Sequence, residues 1–158
     1  MLGKSQHGFC KGKSCLTNLL EFFEGVNKHT DKDDPVDRVY LDFQKAFDKV
    51  PHQRLKLSSH GKRRKVLSWI SNWLNDRKQR AGINGHFSDR REVNSGVPQG
   101  SVVGPVLKNI FINDLEKWVN SEVAKFAEDT KLLKIVKSKA DCEELQKDLT
   151  KVGDWATK

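Results

Sequence analysis

Arg38-Val39-Tyr40-Leu41-Asp42-Phe43 is a short, largely apolar run that ends close to a carboxylate, and how it is read decides the fold. Valine, tyrosine and phenylalanine favour a pleated, half-buried strand, whereas aspartate is depleted there and costly to bury without a partner. An ordinary buried strand is the plain reading. Asp42 argues for more: a metal, a cation or a helix N-terminus close by.

On the N-terminal side, residues 5–14 form a glycine-bearing basic loop. Leu16, Leu19, Leu20, Phe23 and Val26 then recur at helical spacing across residues 15–28. Residues 31–37 are an acidic turn containing Pro35. On the C-terminal side, a helical turn over 44–50 is cut by Pro51, and Val66, Trp69, Ile70 and Trp73 mark an amphipathic helix. Asn84-Gly85 between residues 79–83 and 86–93 is the strongest hairpin signal of the chain.

Residues 95–105 carry three glycines and two prolines and lead into a helix with Val103, Val106, Leu107, Ile110 and Leu115 on its core face. Residues 123–127 and 132–136 read as a second hairpin, with Glu128-Asp129-Thr130 at its turn. A last helix opens at Ser138, a plausible N-cap, with Cys142, Leu145, Leu149 and Val152 on one face. Strands joined by hairpins, with helices packed on one face of an antiparallel sheet, predict an α+β fold.

The 158 residues suffice for a single domain with a real core. No apolar run approaches the roughly 20 residues of a membrane span, and the N-terminus lacks the apolar core of a signal peptide. An intracellular protein, nuclear or cytoplasmic and without a membrane partner, is expected. The net charge of +8 is clustered at residues 62–65, at Arg77, Lys78 and Arg80, and at Arg90-Arg91. Such clusters suit a polyanion, because each neutralised phosphate releases counterions. A solvated basic surface is the alternative. Arg63, Arg64, Arg77 and Lys78 are the candidate nucleic-acid contacts. Three cysteines, an odd number, argue against a disulfide framework. His7, Cys10 and Cys15 lack a fourth ligand and a zinc spacing, and are read as ordinary side chains.

Two acidic points fall at strand ends: Asp42, and Glu128 with Asp129. If their strands are neighbours, three carboxylates converge. Oxygen-only ligands favour Mg²⁺ or Mn²⁺, and two such ions about 3.5–4 Å apart drive phosphoryl transfer. A solvated acidic hairpin turn is the competing reading.

Tyr40-Leu41-Asp42-Phe43-Gln44-Lys45-Ala46-Phe47-Asp48 resembles the first palm motif of the reverse transcriptases of non-LTR (LINE-type, jockey- or chicken-repeat-like) retrotransposons, and Ser95-Gly96-Val97-Pro98-Gln99-Gly100-Ser101 resembles the second. Phe126-Ala127-Glu128-Asp129-Thr130 sits where that family carries Phe-Ala-Asp-Asp-Thr, and Gln6-His7-Gly8-Phe9 resembles the segment upstream of the palm. The resemblance spans nearly the whole chain.

What it implies is an RNA-directed DNA polymerase palm working on an RNA template, a DNA primer and deoxynucleoside triphosphates. Asp42, Glu128 and Asp129 would hold two Mg²⁺ or Mn²⁺ ions. Phe43, Phe47 and Gln99 would contact the nucleotide, with Phe47 under its sugar. Residues 1–37 would be partial fingers and lead-in, 38–137 the palm core, and 138–158 a truncated C-terminal helix without a thumb.

The departures are informative. Glu128 replaces an aspartate and pushes its oxygens outward by more than about 1 Å, an error that can cost roughly 100-fold in rate. Cys10 stands where the family has arginine, and residues 55–61 look shortened. Lys108 and Asn109 occupy usually apolar helix positions, where a lysine head reaches water only if the helix edge lies near it. A truncated, impaired copy is therefore expected, one that Glu128→Asp alone does not rescue. The alternatives are an inactive palm remnant that binds nucleic acid through its basic clusters, and an interaction module using Trp69, Trp73 or Trp118.

Overall fold

A computed structural model describes residues 3–57 and 64–157. In chain order the elements are α1 (Cys15–Thr30), β1 (Val36–Leu41), α2 (His52–Leu57), α3 (Arg64–Leu74), the two-residue strands β2 (Lys78–Gln79), β3 (Gly82–Ile83), β4 (His86–Phe87) and β5 (Arg91–Glu92), α4 (Val103–Ile112), a 3₁₀ helix (Asn113–Lys117), β6 (Glu122–Phe126), β7 (Asp129–Ile135) and α5 (Lys139–Thr157). They form two compact units, one of Met1–Gln44 with Ile112–Lys158, the other of Lys45–Phe111.

The first unit is built on an antiparallel sheet of order β1-β7-β6. Leu41 pairs with Thr130 and Val36 with Ile135, while Phe126 pairs with Asp129 across the β6–β7 hairpin. Helix α1 starts where Ser14 accepts a hydrogen bond from the Thr17 amide (3.1 Å) and Thr17 accepts one from the Ser14 amide (2.8 Å), a reciprocal cap. Lys28 and His29 in the last turn suit the negative end of the helix dipole. Its buried stripe is Asn18, Phe22 and Val26, packed with Leu133, Val36 and Ala124. Leu16, Leu20 and Phe23 are exposed: the apolar spacing identifies the helix but not its rotation, which Phe22 decides.

Helices lie on both faces of this sheet, not on one as the sequence predicted. Successive strand residues point to opposite faces. Leu133 packs under α1, whereas Lys134 pairs with Glu144 of α5 at 2.7 Å. A central strand apolar on both sides needs two covers, and β7 has Leu132 and Leu133 both buried.

Helix α5 opens as expected at Ser138, whose hydroxyl accepts from the Asp141 amide while the Asp141 carboxylate accepts from the Ser138 amide. Its buried face is Leu145, Asp148, Val152 and Trp155; Cys142 is exposed, against expectation. The residue that shares the buried face with Leu145 and Val152 is a carboxylate, which no hydrophobic pattern marks.

The second unit packs Val50, Leu55, Leu74, Val97 and Leu107 with Phe47, Ile70, Trp73 and Ile110. Residues 44–49 are successive turns and no helix. The Asn84-Gly85 hairpin forms, with both residues at positive φ (50° and 82°), as a two-residue turn that follows strand twist requires. The expected core face of α4 breaks at Asn113, where the backbone tightens into the 3₁₀ helix that buries Leu115.

Candidate functional site

Asp42 follows β1 directly, and the register, continued by one residue, sets it across from Asp129, the first residue of β7. Opposite residues of an antiparallel pair share a face and lie about 4.5–5.5 Å apart at Cα, so the pairing brings two exposed aspartates to one end of the sheet. Glu128 belongs to the turn instead. That turn is Ala127-Glu128, one residue earlier than predicted, and Asp129 and Thr130 lie in the strand. Ala127 sits at φ 56°, a left-handed conformation that alanine rarely adopts.

The turn is held from outside the hairpin. Residue Gln6 is buried; its Oε1 accepts from the Gly8 amide (2.8 Å) and the Ala127 amide (3.0 Å), and its Nε2 donates to the Ala127 carbonyl (3.3 Å). A Cβ on Gly8 would lie 2.2 Å from the Ala127 nitrogen, so only glycine admits this approach. The His7 amide donates to the Lys125 carbonyl (2.9 Å) and the Lys125 amide to the Ser5 carbonyl (2.8 Å), extending the free edge of β6. The His7 ring contacts Thr17 and Glu21, each at 2.9 Å, an ordinary structural role.

Beneath the hairpin, the fully buried Lys125 ammonium pairs with Glu116 at 2.6 Å. Burial lowers the Lys125 pKa, and the hydrogen bond to Glu116 offsets part of that. Burial pushes the Glu116 pKa up, but Lys125 and the Ser5 hydroxyl together outweigh it and hold the carboxyl below its ordinary value. At the foot of β6, Asp148 Oδ2 accepts from the Asn120 amide (3.0 Å), the Ser121 amide (2.9 Å) and the Ser121 hydroxyl (2.7 Å). Burial would raise its pKa; these donors and Lys151 prevail and lower it.

Phe43 is half-buried, its ring edge-on to Trp155 with centroids 5.5 Å apart. In the other unit the Gln99 loop is fastened to the segment bearing Phe47: the Val97 amide donates to the Phe47 carbonyl (2.7 Å), and the Gly96 amide to that of Val50 (2.9 Å). Gly96 is at φ +84°, and a Cβ there would lie 2.6 Å from the Asp48 carbonyl oxygen. Gln99 is exposed beyond this junction. Lys108 does not meet the condition for reaching water. Its side chain is buried, with Nζ 4.6 Å from the Phe47 ring centroid, a cation–π contact.

Of the basic candidates, Lys78 is exposed on β2, and Arg77 donates to the Gly96 carbonyl at 3.3 Å. Arg64 opens α3, and Arg63 lies outside the described residues. Trp69 and Trp73 stack with centroids 6.0 Å apart.

The donor set of Asp42 and Asp129, carboxylate oxygens only, suits a hard divalent cation. Among the described residues, no three His, Cys, Asp or Glu side chains stand close enough together to hold a metal ion. Nor is any helix among them long and apolar enough to cross a membrane.

A family model described as reverse transcriptase (RNA-dependent DNA polymerase) matches residues 1–158. The RNA-directed DNA polymerase from mobile element jockey of Drosophila melanogaster is 33% identical over 129 residues, 74% of this chain and 14% of that protein. The probable RNA-directed DNA polymerase from transposon BS of the same organism is 30% identical over 120 residues, 73% of this chain and 13% of the relative. A putative COX1/OXI3 intron 2 protein of Saccharomyces cerevisiae is 29% identical over 121 residues, covering 73% and 12%. The chain thus spans 12–14% of the length of these relatives.

Proposed function

Since this chain belongs to the reverse transcriptase (RNA-dependent DNA polymerase) family, of the non-LTR retrotransposon kind, we propose that it supplies the palm carboxylates of an RNA-templated DNA polymerase. The observation that carries the proposal is the register that sets Asp42 across from Asp129. Two exposed carboxylates at adjoining strand ends, with no ion pair to either among the described residues, are suited to take Mg²⁺ or Mn²⁺. Glu128, in the turn one residue away, is proposed as the third ligand only on swinging toward the pair, since among the described residues no three such side chains stand together. When bound, such ions stabilise the attacking and leaving oxygens of an in-line displacement. The primer 3′-hydroxyl would give its proton to solvent and form a bond to the nucleotide α-phosphorus as the bond to pyrophosphate breaks, the displaced pyrophosphate leaving with the electron pair.

In the same reading the Gln99 loop and Phe47, joined through backbone hydrogen bonds, form the nucleotide-facing element of the second unit, and Phe43 steadies the segment after Asp42 by packing on Trp155. The RNA template, DNA primer and deoxynucleoside triphosphates are the proposed partners. The extra methylene of Glu128 shifts its oxygens by about 1 Å, and rates are sensitive to errors of that size; this copy is proposed to be impaired.

Two measurements test the proposal. Mn²⁺ titration followed by electron paramagnetic resonance should give a site that Asp42→Ala and Asp129→Ala each weaken; equal binding by all three proteins would refute the shared site. Primer extension on an RNA template, with Mg²⁺ and then Mn²⁺, should stay undetectable for the native chain and for Glu128→Asp. Extension by the native chain, abolished in Asp42→Ala, would overturn the impairment.

A second reading, a basic nucleic-acid-binding module, is favoured by the ribbon of β2 to β5. Lys78, Arg80, Arg90 and Arg91 are all exposed on or beside it, and Arg80 lies 3.9 Å from the ring centroid of the exposed Phe87.

A further inference from the structure

We propose that Gln6 is a positioning residue for the β6–β7 hairpin, its carboxamide fixing the Ala127-Glu128 turn from which Asp129 emerges. The inference rests on the metal-carboxylate reading for its consequence, but not for its geometry.

Three observations carry it. First, Gln6 is 1% exposed and uses both ends of its amide on the hairpin, accepting from the Ala127 amide and donating to the Ala127 carbonyl at 3.0 and 3.3 Å. A carboxamide is the side-chain group that offers a donor and an acceptor together at this reach; a carboxylate only accepts, and an apolar chain does neither. Second, the residue it clamps has a positive φ without being glycine. Such a backbone persists only where its surroundings over-determine it, and here the surroundings are Gln6 and the close-packed Gly8. Third, Oε1 also accepts from the Gly8 amide at 2.8 Å, so the clamp is anchored on its own segment and cannot swing with the turn.

Residues Ser5 and His7 on either side bond to Lys125, which ties the same segment to the strand entering the turn. The consequence is directional. Asp129 pairs with Phe126 across the turn, so a change in the twist at Ala127 re-aims the first residues of β7, including the aspartate opposite Asp42. Gln6 touches no reacting group; it acts through the backbone of Ala127.

The test uses the full chain in three forms: native, Gln6→Met and Gln6→Glu, with Val152→Ala as a control that loses buried volume in α5 and leaves the Gln6 carboxamide in place. The first readout is amide hydrogen exchange by nuclear magnetic resonance. Exchange at Ala127 and Glu128 should rise about tenfold in Gln6→Met relative to α5 amides, as expected when a local hydrogen bond is lost, and stay native-like in Val152→Ala once global stability is accounted for. The second readout is Mn²⁺ affinity, which should fall roughly 10- to 100-fold in both Gln6 variants, the range for loss of a partner that orients a metal ligand, and hold in Val152→Ala.

Native-like exchange at Ala127 and Glu128 in Gln6→Met would overturn the clamp. Changed exchange with unchanged Mn²⁺ affinity would overturn its link to the carboxylates. If the native chain binds Mn²⁺ no better than Asp42→Ala, the metal reading fails by itself, and the exchange data still decide whether Gln6 holds the turn.

Discussion

Replacing Asp148 by alanine removes one side chain and leaves three donors facing it. Its Oδ2 accepts the Asn120 amide, the Ser121 amide and the Ser121 hydroxyl at 2.7–3.0 Å, inside a site that is 1% exposed. Hydrogen bonds to a charged group contribute about 1.5–3 kcal/mol each, and a buried amide left unpaired costs about 1–3 kcal/mol. These figures do not add, and the Lys151 contact, with the lysine 42% exposed, adds at most about 1 kcal/mol. Breaking a buried charge from its partners costs about 3–5 kcal/mol, and that is the expected loss. Urea unfolding followed by far-ultraviolet circular dichroism reads it directly. The pH dependence gives a second check with a definite sign. The Asp148 carboxyl is held below its ordinary value in the folded state, so its stabilisation is present above the unfolded pKa of about 3.9 and is lost as pH falls through the lower folded pKa. Asp148→Asn should lose less stability at acid pH than at neutral pH relative to the native chain. A cost below about 1 kcal/mol, or acid-dependence identical in Asp148→Asn and native protein, would refute the reasoning.

Glycines divide by what surrounds them. Gly8→Ala should destabilise by about 1–3 kcal/mol, the cost of overpacking against backbone, whereas Gly153→Ala, with nothing within 4 Å of the added carbon inside α5, should stabilise by about 0.5–1 kcal/mol; a raised urea midpoint for the first, or a lowered one for the second, would contradict that prediction. If the β2–β5 ribbon meets phosphates, Lys78→Ala should lower the log–log salt slope of binding to an RNA–DNA duplex by roughly 1, and an unchanged slope would assign Lys78 to a solvated surface.

Local signals carried the sequence reading well. The Ser138 cap, the Asn84-Gly85 turn and the strand ahead of Asp42 each rest on neighbours in the chain, and all three form. The β6–β7 turn was misplaced by one residue because alanine carries no turn signal: the residue that stabilises Ala127 is Gln6, 121 positions away. The family resemblance marked Gln6-His7-Gly8-Phe9 as a motif, but no local pattern gave it a task. Lys108 and Asp148 escaped for a related reason. Charged types are assigned to the surface by default, and only partners brought by folding, Phe47 for one and Ser121 for the other, make their burial tolerable. The apolar face read from Cys142, Leu145, Leu149 and Val152 passed over position 148, because a carboxylate carries no apolar signal.

The first unit is assembled from two stretches of chain, Met1–Gln44 and Ile112–Lys158, with the whole second unit between them, and that arrangement sets a timetable for synthesis. Among the described residues β1 pairs with β7 alone, so Leu41 waits for Thr130 while on the order of 90 further residues are made, a delay of roughly 5–20 s at ordinary translation rates. Through that interval β1 lacks the partner strand it has among the described residues, and that edge is open to pairing with other chains. The second unit is continuous in sequence, so every residue of its buried cluster, Val50 to Leu107, is made before β7. On the ribosome these residues therefore come together out of their order in the sequence: the cluster within 45–111 is complete while the sheet of the first unit still waits for β7.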